Sequence, residues 1–382
     1  CLFVLLTFTL SGLTGAYDNA NAGTGKTVTL DDTNATKVDG NGKYVVAYPT
    51  TAKGDITPRQ VDVTVTLSGN DLKQEANGDY YYDYDGTEKT PNVTVTADDD
   101  SAVLTASDYS VNITDNKNVG DATVTVTAKE GGNYTFTEAK VQFAIKEAGA
   151  ELTKAPAAKN LTYTGQPQDL VDVGTATGGT VVYSSTGAAG SYTETIPQGT
   201  DAGTYTVYYM VKGDANHADT EPGQVPVTIK PKEITPGITL EKNSYEYDGN
   251  AKTPGVTVKD GTDTIDASEY SVSYRDNTNA GTATATVSNN NGGNYIVNGT
   301  ATFEITKKAP TVTAPVGKTG LQYNGERQDL VQAGVTNDGT VVYSVNGGNY
   351  TPAVPSELAV GTYTIEWKVL GDNNHSATAP AT

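Results

Sequence analysis

Tyr82-Asp83-Tyr84-Asp85-Gly86-Thr87-Glu88-Lys89-Thr90-Pro91-Asn92-Val93-Thr94-Val95 returns 163 residues later as Tyr245-Glu246-Tyr247-Asp248-Gly249-Asn250-Ala251-Lys252-Thr253-Pro254-Gly255-Val256-Thr257-Val258, identical at ten of fourteen positions. Such a repeat makes the chain an array, and it overrides reading 382 residues as two or three large domains. Each copy has an aromatic lead-in, an Asp-Gly pair suited to the positive φ of a tight turn, a Thr-Pro and an alternating Val-Thr-Val. Strand, turn and edge-protected strand is the expected local structure.

A second motif, Asp-Asn-x-Asn-[Ala/Val]-Gly, occurs at Asp18–Gly23, Asp115–Gly120 and Asp276–Gly281. Asp, Asn and Gly tolerate left-handed backbone, which predicts a tight interstrand turn. Around it the chain alternates with period two: Tyr109, Val111, Ile113, then Ala122, Val124, Val126, then Val141, Phe143, Ile145. Tyr270, Val272, Tyr274, then Ala283, Ala285, Val287, then Ala301, Phe303, Ile305 repeat that order, so each strand is expected to present one apolar face.

A companion unit lies between and after these. Leu161-Thr162-Tyr163-x-Gly165 matches Leu321-Gln322-Tyr323-x-Gly325, and Gly179-Thr180-Val181-Val182-Tyr183 matches Gly339-Thr340-Val341-Val342-Tyr343. The first copy ends in Val225-Pro226-Val227-Thr228-Ile229, whereas the second reaches Thr382 without such a strand, so both ends of the array are expected to be cut. Lys and Pro gather at the joints, as at Lys230-Pro231-Lys232 and Lys307-Lys308-Ala309-Pro310, which predicts short, stiff connections.

The Y-D-G…T-P units resemble YDG-type repeats, and the L-x-Y-x-G…G-T-Y units resemble MBG-type immunoglobulin-like repeats, of large bacterial surface and secreted proteins. The resemblance implies an all-β chain of tandem immunoglobulin-like β-sandwiches, two alternating types strung end to end. The expected units are a partial YDG-type module at 1–57, a YDG-type sandwich at 58–148, an MBG-like one at 149–231, a second YDG-type at 232–309 and a second MBG-like at 310–382, lacking its last strand. The resemblance implies a bacterial cell-surface or extracellular, adhesin-like location, and it carries over no catalytic residues.

Composition bounds the rest. A formal charge of −20 disfavours nucleic acid and anionic membranes as partners, since both need a basic footprint. One Cys excludes an intrachain disulfide framework, so packing alone must hold each small core. The apolar Cys1–Leu10 lacks a basic lead and reads as a strand rather than a signal remnant, and no segment is long enough to span a membrane.

Candidate chemistry is weighed against turn and core roles. Gly23-Thr24-Gly25-Lys26-Thr27 resembles the end of a phosphate-binding loop, but Ala20 stands where a Gly is needed and a strand follows where a helix is needed. His217 and His375 sit in Gly-Asp-x-Asn-His without neighbouring ligands, and Tyr134 and Tyr295 take their place in the other unit, so a ring packed over a turn is expected. Asp98-Asp99-Asp100 suggests calcium by charge, yet its sister is Lys259-Asp260-Gly261, a hairpin tip. Trp367 falls on an apolar face, while Tyr208 and Tyr80–Tyr82 are the exposed binding candidates. Isopeptide cross-links need a buried Lys beside an acid, and no Lys lies on the apolar strand faces. The reading is therefore a non-enzymatic structural spacer with no catalytic, cofactor or metal residue and no cofactor. Its partners are neighbouring repeats; a glycan- or protein-binding module acting on host or environmental ligands is the alternative.

Overall fold

The computed structural model describes residues 12–35 and 49–382, and these form an all-β protein whose one helical element is a 3-10 turn at Ala267–Glu269. The apolar Cys1–Leu10 lies outside the described residues. Thr14–Tyr17, Gly23–Asp31 and Thr51–Ile56 make a three-stranded antiparallel sheet. Gly23–Thr27 begins its central strand, so the strand starts earlier than the turn expected of that stretch, and it is a strand and not a helix that continues it.

Within 58–148, Val63–Ser68 pairs antiparallel with Asn92–Ala97. Packed on that pair is a five-stranded sheet ordered Lys73–Gln74, Tyr80–Asp83, Ala139–Lys146, Gly120–Ala128, Tyr109–Thr114. The period-two pattern puts Val95, Ala97, Ala122, Val124, Val126, Phe143 and Ile145 between the layers, none more than 2% exposed. Each large side chain buried there stabilises the sandwich by roughly 1.5–3 kcal/mol. Val111 departs from the expected apolar face: it is 40% exposed, because Tyr109–Thr114 is an edge strand with a neighbour on one flank only.

The stretch 232–309 repeats this plan. Ser244–Glu246, Asn298–Thr306, Gly281–Asn289 and Tyr270–Arg275 form one sheet, and Gly237–Leu240, Val256–Asp260 and Asp263–Thr264 form the other. Phe303 and Ile305 are buried as Phe143 and Ile145 are. In 149–231 the main sheet runs Leu161–Thr162, Gly223–Lys230, Gly203–Gly213, Gly179–Ser184, with short ribbons over its core of Leu170, Val171, Val207, Val227 and Ile229. In 310–382 the matching sheet has two strands, Thr340–Val345 and Ile365–Leu370. Both companion units share a tie from the Tyr at the end of Gly-Thr-Val-Val-Tyr: its hydroxyl accepts the N–H of Gly174 at 3.0 Å, or of Gly334 at 2.9 Å.

The opening stretch forms a strand, a turn and a second strand, and it also links the two sheets. Tyr80–Asp83 belongs to the five-stranded sheet and Asn92–Ala97 to the facing pair, so the Asp-Gly turn carries the chain between sheets and closes no hairpin. Tyr82 enforces the crossing: it is 6% exposed and meets the Phe143 ring edge-on at 5.3 Å, as Tyr245 meets Phe303 at 5.8 Å. Gly86 and Gly249 have φ of 81° and 84°, the left-handed region that the turn demands. Gly249→Val is therefore expected to cost its unit about 1–3 kcal/mol, since a β-branched residue resists positive φ. Thermal denaturation reads this directly, and an unchanged melting profile would contradict the turn assignment.

Candidate functional site, the junctions between repeats

The two motifs that recur most strictly meet at one end of each unit that carries the Asp-Gly stretch. The Lys89 N–H donates to the Asn116 carbonyl at 2.8 Å, and the Asn116 side-chain amide returns a bond to the Lys89 carbonyl at 2.8 Å. Lys252 and Asn277 exchange the same two bonds at 2.7 and 2.8 Å. Asp115 and Asp276, with φ of 59° and 55°, start the second motif in left-handed backbone, as expected of that turn.

The lysine side chains correct the sequence reading. Lys89 is 6% exposed, with Nζ 2.6 Å from Asp85 and 5.5 Å from the centroid of the Tyr82 ring. Lys252 pairs with Asp248 in the same way. A buried Lys beside an acid therefore does exist, on the loop after the Asp-Gly turn and not on the strands. Here it desolvates one partner of an ion pair and covers an aromatic face.

The Lys89 hydrogen bond first, then the Thr87 hydroxyl and N–H, hold the Asp85 carboxyl well below the usual carboxylate range. The Lys252 bond, then the Asn250 N–H, lower Asp248 likewise. Groups with depressed folded pKa contribute stability that is present above the unfolded value, about 3.9, and is lost as pH falls through the folded one. Melting temperature is thus expected to drop between about pH 4 and pH 2. The drop should be shallower in the double variant Asp85→Asn, Asp248→Asn, and equal slopes would contradict the pairing.

The other half of each junction is a turn near the opposite end of the next unit, carrying Asn followed by a ring: Asn133-Tyr134, Asn216-His217, Asn294-Tyr295 and Asn374-His375. An acid sets each Asn in place. The Asn133 N–H donates to Asp108 at 3.0 Å, Asn216 to Asp214 at 2.8 Å, Asn294 to Glu269 at 2.6 Å and Asn374 to Asp372 at 2.7 Å. His217 and His375 also place Nδ1 against Asp214 and Asp372, at 2.7 and 2.9 Å.

These Asn residues join the repeats. Oδ1 of Asn133 accepts the N–H of Ala22 at 2.8 Å, Asn216 that of Val119 at 2.9 Å, Asn294 that of Ala202 at 2.7 Å, and Asn374 that of Ala280 at 2.8 Å. Nδ2 of each donates to the residue just before that N–H: Asn21, Asn118, Asp201 and Asn279, at 3.4, 3.5, 3.3 and 3.2 Å. The carbonyl of each Asn accepts an N–H of the linker that leads into its unit: Arg59, Ala148, Lys232 or Lys308, at 2.8–3.1 Å. Behind each Asn, the ring meets a Tyr of the preceding unit edge-on in three junctions: Tyr84 with His217 at 5.3 Å, Tyr163 with Tyr295 at 5.2 Å, Tyr247 with His375 at 5.4 Å.

One residue thus grips the preceding unit's turn with both ends of its amide while its backbone holds the linker. Each bond contributes about 0.5–1.5 kcal/mol net, and each ring pair a similar amount. The geometry is the same whether a unit with the Asp-Gly stretch follows a companion unit or precedes it. In 310–382 the counterparts of Tyr163 and Ala202, Tyr323 and Val360, are 68% and 87% exposed.

The other sequence candidates are placed as follows. Asp99 and Asp100 pair with Arg59 at 2.5 and 2.6 Å, while Asp98 accepts the Thr64 hydroxyl at 2.7 Å. The three stand at a tight turn closed by Ala97 and Ala102, with Ser101 at φ 58°. Among the described residues no group of three or more His, Cys, Asp or Glu is arranged to hold a metal. Tyr208 and Tyr80–Tyr82 are not the exposed set expected: Tyr82 is core, and the other three are half-buried. Tyr208 lies against the turn at Gly187, where even a methyl group on Gly187 would come within 2.9 Å of its ring. The sequence marks the junction Asn residues only through their recurrence: an Asn stands before every such ring, at 133, 216, 294 and 374.

No protein-family model matches the chain, and no curated protein matches it. Among solved structures it is similar to the fibronectin(III)-like modules of Clostridium thermocellum CbhA, at 12% identity over 44% of this chain and 94% of that one, with a TM-score of 0.18.

Proposed function

We propose that this chain is a spacer: a non-enzymatic run of YDG-type and MBG-type immunoglobulin-like repeats that holds other parts of a bacterial surface or secreted, adhesin-like protein at a distance. The observation that carries the reading is the Asn clasp, present at four successive junctions in one geometry. A chain of freely jointed binding domains has no need of it, whereas a stay needs every joint stiff. The partners this reading requires are the neighbouring repeats, and the acidic surface disfavours nucleic acid.

Small-angle scattering tests it without knowledge of any ligand. Strands of about 8–10 residues rising 3.3 Å each make units about 35–40 Å long with their loops, so the chain should behave as a rod on the order of 150 Å. A compact body of this length has a radius of gyration near 21 Å, about half of what the rod implies. A measured value near 21 Å would overturn the spacer reading.

A further inference from the structure

The outer face of the main sheet in 149–231 carries a hollow that the second companion unit fills. Along Gly203–Gly213 the core takes Val207 and Val211, so Tyr208, Met210 and Lys212 point to the other side, opposite Ser184, Val182 and Thr180. Over them folds the turn 185–192, pinned by the Ser184 hydroxyl, which accepts the N–H groups of Thr186 and Gly187 at 3.1 and 2.9 Å. Between turn and sheet lies a cavity of about 460 Å³, lined by Val182, Ala189, Tyr192, Met210, Lys212 and Pro222 among others. Most of this wall is apolar. Its charged part is one neutralised pair, Lys212 Nζ to Asp219 at 2.7 Å, with Asp219 also accepting the Gly213 N–H at 2.9 Å.

Strand register identifies what stands in the same place in 310–382. Tyr183 pairs with Thr193 and Tyr343 with Thr351, so Tyr350 is the counterpart of Tyr192. Val182 faces Met210 where Val342 faces Lys368, and Ser184 faces Tyr208 where Ser344 faces Glu366. Lys368 lies over the Tyr350 ring, with Nζ 4.3 Å from its centroid, and the Tyr350 hydroxyl donates to Glu366 at 3.2 Å. In 149–231 both of those partners are replaced, and the Tyr192 hydroxyl is buried without a hydrogen-bond partner. The turn is also longer, ten residues from Tyr183 to Thr193 against eight from Tyr343 to Thr351, and its Gly187-Ala188-Ala189-Gly190 fills little space. A buried hydroxyl left orphaned is costly, and beside an open cavity it points to a ligand that completes it.

We propose that this cavity binds the ring of a neutral carbohydrate, a property independent of the spacer role. A pyranose has an apolar C–H face, which Tyr192, Met210 and Pro222 meet, and a rim of hydroxyls that donate and accept. Lys212 and Asp219 set a donor and an acceptor side by side, the complement of two adjacent hydroxyls, and a third hydroxyl gives Tyr192 its missing partner. An apolar side chain would leave the Tyr192 oxygen orphaned, and a charged one would bury its charge against a pair already neutralised. The Tyr192 hydroxyl is closed to water in the free chain, so entry moves part of the lining. Met210, unbranched and adaptable, suits that movement.

Met210 is the only Met, so one labelled methionine methyl resonance of the full chain reports the cavity. The probes are glucose, galactose, mannose and N-acetylglucosamine, with N-acetyl-leucinamide as the apolar side-chain probe. At least one sugar is expected to shift the resonance saturably at millimolar concentration, and leucinamide to leave it in place. Tyr192→Phe is expected to weaken that sugar about fivefold or more while its melting temperature holds level or rises, since the variant loses an unpartnered hydroxyl. Tyr208→Glu combined with Met210→Lys, which copies the second companion unit, is expected to abolish binding as read by saturation transfer to the sugar. No shift with any of the sugars would overturn the proposal. So would leucinamide binding as tightly as any sugar, or a Tyr192→Phe chain that binds sugar as well as the parent.

Discussion

Replacing Asn133, Asn216, Asn294 and Asn374 together by Ala is expected to leave the units folded and to take the stiffness out of the chain. Each substitution removes both side-chain bonds to the preceding turn and leaves the N–H of Ala22, Val119, Ala202 or Ala280 without its partner. The loss is about 1–3 kcal/mol per junction, which is most of what a contact this small can supply. Linker bonds to the Asn carbonyls survive, because they are main-chain. Scattering should show a shorter maximum dimension, and spin labels placed on either side of two junctions should give a broadened distance distribution. Circular dichroism should be unchanged. Narrow distances in the fourfold variant would mean that the ring pairs and linkers suffice, and that the clasp is not what makes the joints stiff.

The contrast between what the sequence disclosed and what it hid has a physical basis. Period-two alternation is local, so the strands around Ala122–Val126 and Ala283–Val287 were legible, as were the left-handed turns at Asp115 and Asp276. Sheet membership is not local. Tyr82 and Val95 stand on either side of one turn, yet they reach the core from opposite sheets, and only the pairing of Tyr80–Asp83 with Ala139–Lys146 reveals this. The junction lay deepest, because its partners are separated by 92–111 residues and neither is unusual alone. An Asn in a turn is ordinarily there for its own backbone. Here each is held by a local acid so that its side chain is free to face another unit.

Phe303→Ala is expected to be the most damaging single change, and it also measures how far the repeats behave as one body. The ring is 2% exposed, packed with Ala283, Ile305 and Tyr245, and its truncation removes an aromatic pair along with a core side chain. The cost is about 3–5 kcal/mol. A unit of roughly 80 residues has only about 4–12 kcal/mol in total, so this one unit should melt far below the rest. Its unfolding withdraws Asn294 and Tyr295 from the unit before it and the Ala280 turn from the unit after it. Calorimetry should therefore show a separate early transition, with the remaining units shifted by about 1–3 kcal/mol at most through lost junction bonds. Phe303→Leu, which keeps most of the volume, should cost less than about 1.5 kcal/mol and keep the profile intact. If the whole chain instead moved down as a single transition, the junctions would carry far more energy than their few bonds account for. The repeats would then be one cooperative body rather than separate domains clasped at their ends.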